Sequence, residues 1–271
     1  MKHKIKIAVC TNIGNSRENQ EDSVIIVCNG KTLLRNSASK GDPDNLDKCF
    51  CLPGRSELLI AVSDGMGGHL GGEIASGYTV SWLQDRAPQL ANAKRPVSLE
   101  LQETLGALSQ AVVEFARKKP GCRGMGATVS GLYAKDGVLC CFHAGDSRIY
   151  RYAAGTLEQC TKDHTAGQRL MDLDLLTAEE VRQLPHGKSI YKYIGMGSTL
   201  QADVFNVRTV ESGTLFLLCS DGLTDALSDE NIREILNRKE TLDAKRERLL
   251  REALGRRIGF GDNISFILVG L

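Results

Sequence analysis

Two short runs of the sequence, residues 58–63 and 215–220, are apolar at nearly every position. A strand that turns one face to a core and the other to water alternates apolar and polar residues, whereas a strand covered on both faces does not. These two strands therefore need cover on both sides. A second sheet on one side and a layer of helices on the other would provide it.

Six further runs have the composition or the alternation of β-strands. They span residues 5–11, 23–28, 127–134, 138–143, 148–152 and 265–269. The segment Ala134-Lys135-Asp136-Gly137 separates two of them and is typical of a tight hairpin turn. Many strands with hairpin connections argue against a parallel βαβ sheet, and they favour an α+β fold with two stacked antiparallel sheets and helices outside.

The helical patterns are few and paired. The first pair spans residues 72–85, ended by Pro88, and residues 98–119, with Ser98 as N-cap and Pro120-Gly121 as the stop. One apolar face runs along the second helix, formed by Leu101, Leu105, Leu108, Val112 and Phe115. A further pair is predicted over residues 229–237 and 243–254.

Two regions have the composition of loops. Residues 29–57 are rich in Lys, Asn, Asp, Ser and Gly, and residues 163–201 contain one short predicted helix, over 178–184, before a Gly-rich stretch. Neither region can bury much apolar surface by itself. We therefore interpret the chain as a single domain over residues 1–271, with a loop insertion near 29–57 and a flap-like segment near 163–201.

Charge and hydropathy exclude two classes of partner. The net charge is +1, from 34 basic and 33 acidic residues, which gives no electrostatic basis for binding nucleic acid or an anionic membrane. The longest apolar runs are too short to span a bilayer. The basic start of the chain leads into an apolar stretch that Lys6 interrupts, unlike a signal peptide.

The nine cysteines are an odd number and lack the spacing of a zinc site. Several lie in apolar runs, where a reduced cysteine acts as a small hydrophobe. We interpret them as free thiols in a reducing cytoplasm. A redox role for Cys49 and Cys51 is the less favoured alternative.

The position of the acidic residues is the most informative pattern. Four times an apolar run or a turn ends in an aspartate beside a glycine, and a fifth acidic cluster opens the strand at 23–28. The residues concerned are Asp64, Asp146, Asp221, Asp262, and the pair Glu21 and Asp22.

Asp-Gly alone is a common turn dipeptide, because Asp bonds to its own backbone and Gly accepts a positive φ. Asp136-Gly137 is interpreted in that way. If the other acidic positions converge, however, their carboxylates repel and are costly to desolvate without cations. A set of oxygen ligands without His or Cys suits Mg²⁺ or Mn²⁺ better than Zn²⁺.

Arg17 lies four residues before Glu21. A guanidinium beside such a cluster could hold the oxygens of a phosphate with two parallel hydrogen bonds. A salt bridge to Glu21 or Asp22 is an equally acceptable interpretation of the spacing.

Seven motifs in order resemble the metal-dependent protein phosphatase family, the type-2C serine/threonine phosphatases, and a Met at position 66 resembles its bacterial branch. The motifs are Arg17-Glu18-Asn19-Gln20-Glu21-Asp22-Ser23, Ser63-Asp64-Gly65-Met66-Gly67-Gly68-His69 with its continuation Gly72-Glu73-Ile74-Ala75-Ser76, Gly124-Met125-Gly126-Ala127-Thr128, Ala144-Gly145-Asp146-Ser147-Arg148, Thr161-Lys162-Asp163-His164-Thr165, Ser220-Asp221-Gly222-Leu223 and Gly261-Asp262-Asn263-Ile264-Ser265. The resemblance implies an αββα four-layer sandwich, two antiparallel β-sheets flanked by helix pairs.

The resemblance also implies a role for each matching residue. Two Mg²⁺ or Mn²⁺ ions are expected in the main site and a third, weaker one beside it. The expected roles are Asp64 bridging two ions, Asp221 and Asp262 completing one, Glu21 and the Gly65 carbonyl serving the other, Asp146 with Asp221 binding the third, Asp22 holding water, and Arg17 holding the substrate phosphate. Hydrolysis then uses a metal-activated water without a phosphoenzyme.

The resemblance implies phosphoserine and phosphothreonine proteins as substrates and an opposing Ser/Thr kinase as a functional partner. Separately, we expect a monomer. This chain departs from the family at Met66, where some members have a histidine that is proposed to act as the general acid. It also departs at Tyr191-Lys192-Tyr193-Ile194-Gly195 in the flap-like segment. The alternatives are a non-catalytic regulatory module on the same fold and a small-molecule phosphohydrolase.

Overall fold

The computed structural model describes residues 4–36, 46–53, 56–66, 71–207, 210–255 and 261–271. The strands are β1 Lys4–Asn12, β2 Asp22–Cys28, β3 Lys31–Asn36, β4 Leu46–Pro53, β5 Leu58–Met66, β6 Gly126–Ala127, β7 Val129–Lys135, β8 Val138–Ala144, β9 Arg148–Ala153, β10 Thr156–Gln159, β11 Asp203–Asn206, β12 Leu215–Cys219 and β13 Ile264–Gly270. The helices are α1 Gly71–Ala91, α2 Val97–Lys118, α3 Ala166–Asp172, α4 Ala178–Gln183, α5 Asp221–Ala226, α6 Asp229–Asn237 and α7 Leu242–Gly255, with a 3-10 turn at Gly197–Thr199.

The described strands form two antiparallel sheets. One has the order β10-β9-β12-β13-β1-β4, and the other has the order β11-β8-β7-β5-β2-β3, with β6 paired to the end of β5. Every recorded strand pair is antiparallel. The sequence prediction of antiparallel rather than parallel sheets is therefore confirmed.

The strand β5 shows how the layers stack. Leu59 and Ala61 pack with the apolar faces of α1 and α2, whereas Leu58, Ile60 and Val62 pack with side chains of the opposite sheet. Helices α5, α6 and α7 cover the outer face of that second sheet. The layers therefore follow the order helix, sheet, sheet, helix, and a strand buried on both faces carries no polar alternation.

Residues 29–57 differ from the loop that their composition predicts. They contain β3, paired with β2, and β4, paired with β1, so each sheet gains an edge strand. An edge strand has one neighbour and tolerates charged and polar residues, which explains why the composition resembles that of a loop. Residues 37–45 and 54–55 lie outside the described part of the chain.

Two helix boundaries also differ from the prediction. Helix α1 continues through Pro88 to Ala91, and its last turn buries Ala87 and Leu90. Packing of that turn against the core outweighs the lost hydrogen bond of the proline. Helix α2 has Pro96 rather than Ser98 at the N-cap, without a side-chain cap.

The segment 163–201 runs over one end of the sandwich and holds three short helical turns. Helix α4 matches the predicted helix to within one residue, and Thr177 and Glu180 form its capping box. Helix α3, capped by Thr165, was not predicted. The short edge strands β10 and β11 were not predicted either, because a strand of four residues is too short to show a clear alternation of apolar and polar residues.

Candidate active site

The ends of β2 and β5 bring the first two carboxylates together. Asp22 and Asp64 are directly opposite each other in the antiparallel register. The buried hydroxyl of Ser220, at the end of β12 in the other sheet, donates a hydrogen bond of 2.8 Å to Asp22 Oδ2. Asp221 follows Ser220, and its charge is near enough to help raise the pKa of Asp64, after burial and the charge of Asp22. The two sheets therefore contribute to one acidic cluster.

Asn263 connects the loop after β1 to the start of β13. Its side-chain amide donates to the carbonyls of Ile13 and Asn19, and its Oδ1 accepts the backbone N–H of Glu21 at 2.7 Å. These bonds place Glu21 and the neighbouring Asp262 at the same edge of the sandwich.

The guanidinium of Arg17 lies at the mouth of this cluster. Its Nη2 donates to Asp262 Oδ2 at 2.7 Å, and 48% of its side chain is exposed. The partner is thus Asp262 and not Glu21 or Asp22, the two that the sequence spacing suggested. The hydrogen bond to Asp262 is the largest cause of a raised pKa of Arg17, and burial opposes it. The charges of Asp262, Glu21 and Asp64 raise this pKa further.

Gly65 and Gly72 allow a close contact at the start of α1. A Cβ on Gly65 would lie 2.0 Å from the Gly72 carbonyl oxygen, so no larger residue fits there. A Cβ on Gly72 would lie 2.8 Å from the Gly65 carbonyl oxygen and 2.9 Å from Glu21 Oε1. The carbonyl and the carboxylate that the sequence assigns to one ion are therefore neighbours.

A buried histidine pair holds the loop that carries Asp146. The backbone N–H of Gly145, which has φ +118°, donates to His164 Nδ1 at 3.1 Å. The Nε2 of His164 lies 3.2 Å from Asp203 Oδ2, and its ring stacks on that of His143. Because Nδ1 accepts, Nε2 carries the proton and donates to Asp203. His143 and His164 therefore support the loop.

Burial and mutual repulsion act on the central carboxyl groups. Burial raises the pKa of Asp64 well above its ordinary value, and the charges of the surrounding aspartates add to this effect. Burial likewise raises the pKa of Asp22 well above the ordinary value, although the hydrogen bond from Ser220 opposes the shift. Burial, followed by the charges of Asp262 and Glu73, raises the pKa of Glu21 against the opposing charge of Arg17.

Two further carboxyl groups extend the cluster toward the segment 163–201. Burial and the charges of Asp221 and Asp163 raise the pKa of Asp146 to about 8. Burial and the charges of Asp225 and Asp262 raise the pKa of Asp221 to about 6. So many carboxyl groups cannot all ionise at neutral pH unless cations offset their charge.

The donor set fits hard divalent cations. All the side chains concerned offer oxygen, and Glu73 adds a buried Oε2 without a hydrogen-bond partner. Among the described residues, no three His, Cys, Asp or Glu side chains are close enough to enclose an ion by themselves. Mg²⁺ is usually held by one or two carboxylates and several waters, so such an enclosure is not required.

A family model with the description Protein phosphatase 2C matches residues 36–255, which is most of the chain. The chain belongs to the protein phosphatase 2C family. Both sheets and the helices that cover them are those of this fold, and the family that the sequence motifs resemble is confirmed. The match covers the segments that carry Asp64, Asp146 and Asp221.

Curated relatives and solved structures agree with this assignment. The serine/threonine phosphatase stp of Listeria monocytogenes is 30% identical over 216 residues, which are 79% of this chain and 84% of the relative. The S. agalactiae serine/threonine phosphatase structure has a TM-score of 0.81 at 26% identity, and covers 98% of this chain and 99% of its own. The catalytic domain of the phosphatase PstP, in complex with two manganese ions, has a TM-score of 0.73 at 28% identity, with 99% of both chains covered.

Sequence reasoning missed three residues of this phosphatase site. Glu73 lies beside Glu21, and Asp225 and Lys188 lie beside Asp221. Asp225 lies four residues after Asp221, and Glu73 lies in the continuation of the Asp64 motif, so both had a usable signal that was not given a role. Lys188 had none, because it reaches the site from the segment 163–201. Three residues of the Asp64 motif, Gly67, Gly68 and His69, lie outside the described residues.

Two cavities of different character lie at opposite ends of the sandwich. A cavity of about 930 Å³, lined largely by apolar residues such as Leu58 and Leu132, contains none of the predicted site residues. The depression of about 240 Å³ at the acidic end is lined by Arg17, Glu18, Asn19 and Glu21. We assign the chemistry to the smaller one because the charged groups are there.

Proposed function

We propose that this chain is a serine/threonine phosphoprotein phosphatase that hydrolyses phosphoserine and phosphothreonine with the help of Mg²⁺ or Mn²⁺. The observation that carries the proposal is the meeting of Arg17 with the buried carboxyl cluster at one end of the sandwich. A cation-requiring acidic site with an exposed guanidinium beside it suits a phosphate monoester.

Two divalent ions are proposed, as in the manganese complex of the PstP catalytic domain. Asp64, Asp221 and Asp262 would hold one, and Asp64, Glu21 and the Gly65 carbonyl would hold the other. A third, weaker ion at Asp146 and Asp221 is also proposed. When bound, the ions would acidify a water and offset the negative charge of the phosphate.

The chain's own residues would orient the substrate and the water. Arg17 uses one nitrogen on Asp262, and a guanidinium has five N–H donors, so others stay available for phosphate oxygens. Asp22 accepts from Ser220 through Oδ2, and its carboxylate can also accept from the attacking water. Ser220 is fully buried and hydrogen-bonded, and therefore unsuited to attack phosphorus itself. We propose direct hydrolysis without a phosphoenzyme.

The shape of the site supports protein substrates over small molecules. Pockets for small ligands enclose roughly 300–1,000 Å³, whereas the depression beside Arg17 is smaller and open. A phosphorylated side chain on a protein surface can reach such a depression. The physiological substrates are proposed to be targets of an opposing Ser/Thr kinase, or the kinase itself.

Two coarser properties bear on where and how the protein acts. In the part of the chain that the structure describes, no helix is both long and apolar enough to cross a membrane. None of the nine cysteines, all of which lie in the described ranges, forms a disulfide, and six of them are buried, which supports the proposal of a reducing, cytoplasmic location. We propose a monomer, which size-exclusion chromatography with light scattering would check.

The test is phosphate release from a phosphothreonine peptide, with phosphotyrosine peptide and nucleotides as competing substrates. We expect turnover that requires Mn²⁺ or Mg²⁺, disappears with EDTA and prefers the phosphothreonine peptide. Acid-quenched reactions with labelled substrate should contain no labelled protein. Equal turnover in EDTA would contradict the metal requirement, and a preference for nucleotides would favour a small-molecule phosphohydrolase instead.

A further inference from the structure

Lys188 connects the segment 163–201 to the acidic cluster. Its ammonium makes an ion pair with Asp225 and lies 4.0 Å from Asp221 Oδ2. Asp221 and Asp225 face the same way on the first turns of α5, four residues apart. A fixed positive charge therefore stands where the proposed third ion would be held.

The backbone on both sides of Lys188 is anchored. The Gly187 carbonyl accepts the Gly167 N–H at 2.8 Å, and the Ser189 carbonyl accepts the Ala166 N–H at 2.9 Å. A Cβ on Gly187 would lie 2.8 Å from the Val181 carbonyl oxygen. The backbone at residues 187–189 is therefore tightly packed, and the side chain of Lys188 extends from it to α5.

The charges around Lys188 do not balance. One ammonium faces Asp221, Asp225 and Asp146, and it can neutralise one carboxylate. Burial lowers the pKa of Lys188, but the hydrogen bond to Asp225 and the charges of Asp225, Asp221 and Asp146 outweigh this and raise it. With all three carboxyl groups ionised, their negative charge exceeds the one positive charge of Lys188, and a divalent ion would offset the excess.

We propose that Lys188 is a tethered monovalent cation that competes with a divalent ion for the carboxylates of Asp146, Asp221 and Asp225. The ammonium and a divalent ion would use the same oxygens of Asp221 and Asp225 and would repel each other at that distance, so an ion that binds there displaces the ammonium from α5. Occupancy of this position thus controls whether the segment 163–201 is tied to α5. The inference rests on the proposed function, since it assumes that divalent ions bind the adjacent cluster.

The experiment is an Mn²⁺ titration of the intact protein, followed by calorimetry and by the electron paramagnetic resonance signal of free Mn²⁺. We expect Lys188→Ala to tighten the weakest Mn²⁺ site by roughly two- to fivefold, the size expected when a partly exposed ion pair no longer competes. Lys188→Arg should restore weak binding. Arg182→Ala, which removes a similarly exposed cation that pairs within α4, should change nothing.

A second pair of measurements separates competition from a general change in charge. In the double variant Lys188→Ala with Asp225→Asn, the gain should disappear because the freed carboxylate is gone. In the wild type, acylation of Lys188 followed by mass spectrometry should increase when Mn²⁺ fills the weak site.

The outcomes distinguish this inference from the proposed function. Two tight ions in every variant, with a weakest site that changes less than twofold in Lys188→Ala, would overturn the inference alone. Absence of any Mn²⁺ binding in the wild type would overturn both the inference and the metal-dependent function. Circular dichroism of each variant confirms that the exposed substitution leaves the protein folded.

Discussion

The same dipeptide stands at opposite ends of the sandwich and has two different functions there. At Asp136-Gly137 both residues have positive φ, +51° and +82°, both are exposed, and a Cβ on Gly137 would meet nothing within 4 Å. At Asp64-Gly65 the chain continues as a strand, Gly65 lacks positive φ, and a Cβ there would overlap the backbone of α1. Glycine provides turn geometry in the first case and close approach in the second.

The aspartates differ for the same reason. Asp136 is on a two-residue hairpin that joins β7 to β8, where its short side chain tolerates the left-handed backbone. Asp64 ends a strand that lies between a sheet and a helix layer, and its carboxyl group meets those of Asp22 and Asp221. The dipeptide alone therefore does not distinguish an exposed turn from a buried carboxyl cluster, and the burial of the chain around it does.

The largest expected effect is a loss of catalysis when the aspartate at the acidic end is replaced, but not when the one at the hairpin end is. Asp64→Asn should lower phosphatase activity by roughly a thousandfold, because several kcal/mol of transition-state stabilisation from the ions is lost. Asp136→Asn is the matched control and should leave kcat/KM unchanged. Steady-state assays with a phosphothreonine peptide compare the two. Similar losses in both variants would show that the two ends do not differ in function.

The second largest effect concerns the positively charged residues at the two ends, which should differ in their effect on turnover. Arg17→Ala should lower kcat/KM by about a hundredfold, the size seen when one group that stabilises developing charge is removed. Mn²⁺ binding should persist, since Arg17 is not an ion ligand. Lys135→Ala, beside the hairpin at the opposite end, should not affect turnover. A loss of Mn²⁺ affinity in Arg17→Ala would mean that this residue organises the cluster instead of binding phosphate.

Substitution of the two glycines should lower the free energy of unfolding by different amounts. Gly65→Ala should destabilise the protein by about 3 kcal/mol, because the added methyl group overlaps the Gly72 carbonyl and the backbone must shift. Gly137→Ala should cost about 1 kcal/mol, from its left-handed backbone alone. Urea unfolding with a constant m-value measures both. An equal cost at the two positions would remove the distinction between close approach and turn geometry.

The smallest effect concerns pH and the metal-free protein. In the folded protein the pKa of Asp146 is about 8, above the ordinary aspartate value of 3.8. Between these two pH values the folded state holds the proton and the unfolded state does not. Stability from this group is present at low pH and is lost as the pH rises from about 4 through 8. In EDTA, the melting temperature should fall between pH 6 and pH 8 by a few degrees.

Asp146→Asn should flatten this dependence, and Asp136→Asn should leave it unchanged. Mn²⁺ added at pH 8 should restore the wild-type melting temperature, because the ion offsets the ionised carboxylates. A metal-free protein that becomes more stable between pH 6 and pH 8 would contradict the sign of the shift.

Much of the fold could be predicted because its strands are long and strongly patterned. Strand β5 and strand β12 were identified as doubly covered, and the structure has a sheet on one side of each and helices on the other. Helix α6 was predicted with its observed bounds, since Ser228 caps it and its apolar residues repeat at helical spacing. Local signals of this kind survive tertiary packing.

The errors occurred where packing outweighs local preference or where the signal is short. Pro88 does not end α1, because Ala87 and Leu90 gain more from burial than the helix loses at the proline. Edge strands β3 and β4 contain the polar residues typical of loops, and only their pairing with β2 and β1 reveals them. The structure describes the short helices of residues 163–201, and the role of this segment as a flap stays a prediction.

By itself, the sequence determined that the chain has two antiparallel sheets with helices outside, that its acidic residues end core strands, and that it has the motifs of the protein phosphatase 2C family. Only the tertiary structure decided that Arg17 pairs with Asp262, that Asn263 ties the Glu21 loop to β13, and that Lys188 reaches α5. The physical reason is range. Periodicity and capping act within a few residues, whereas these contacts join residues 37 to 245 positions apart, which only the folded chain brings together.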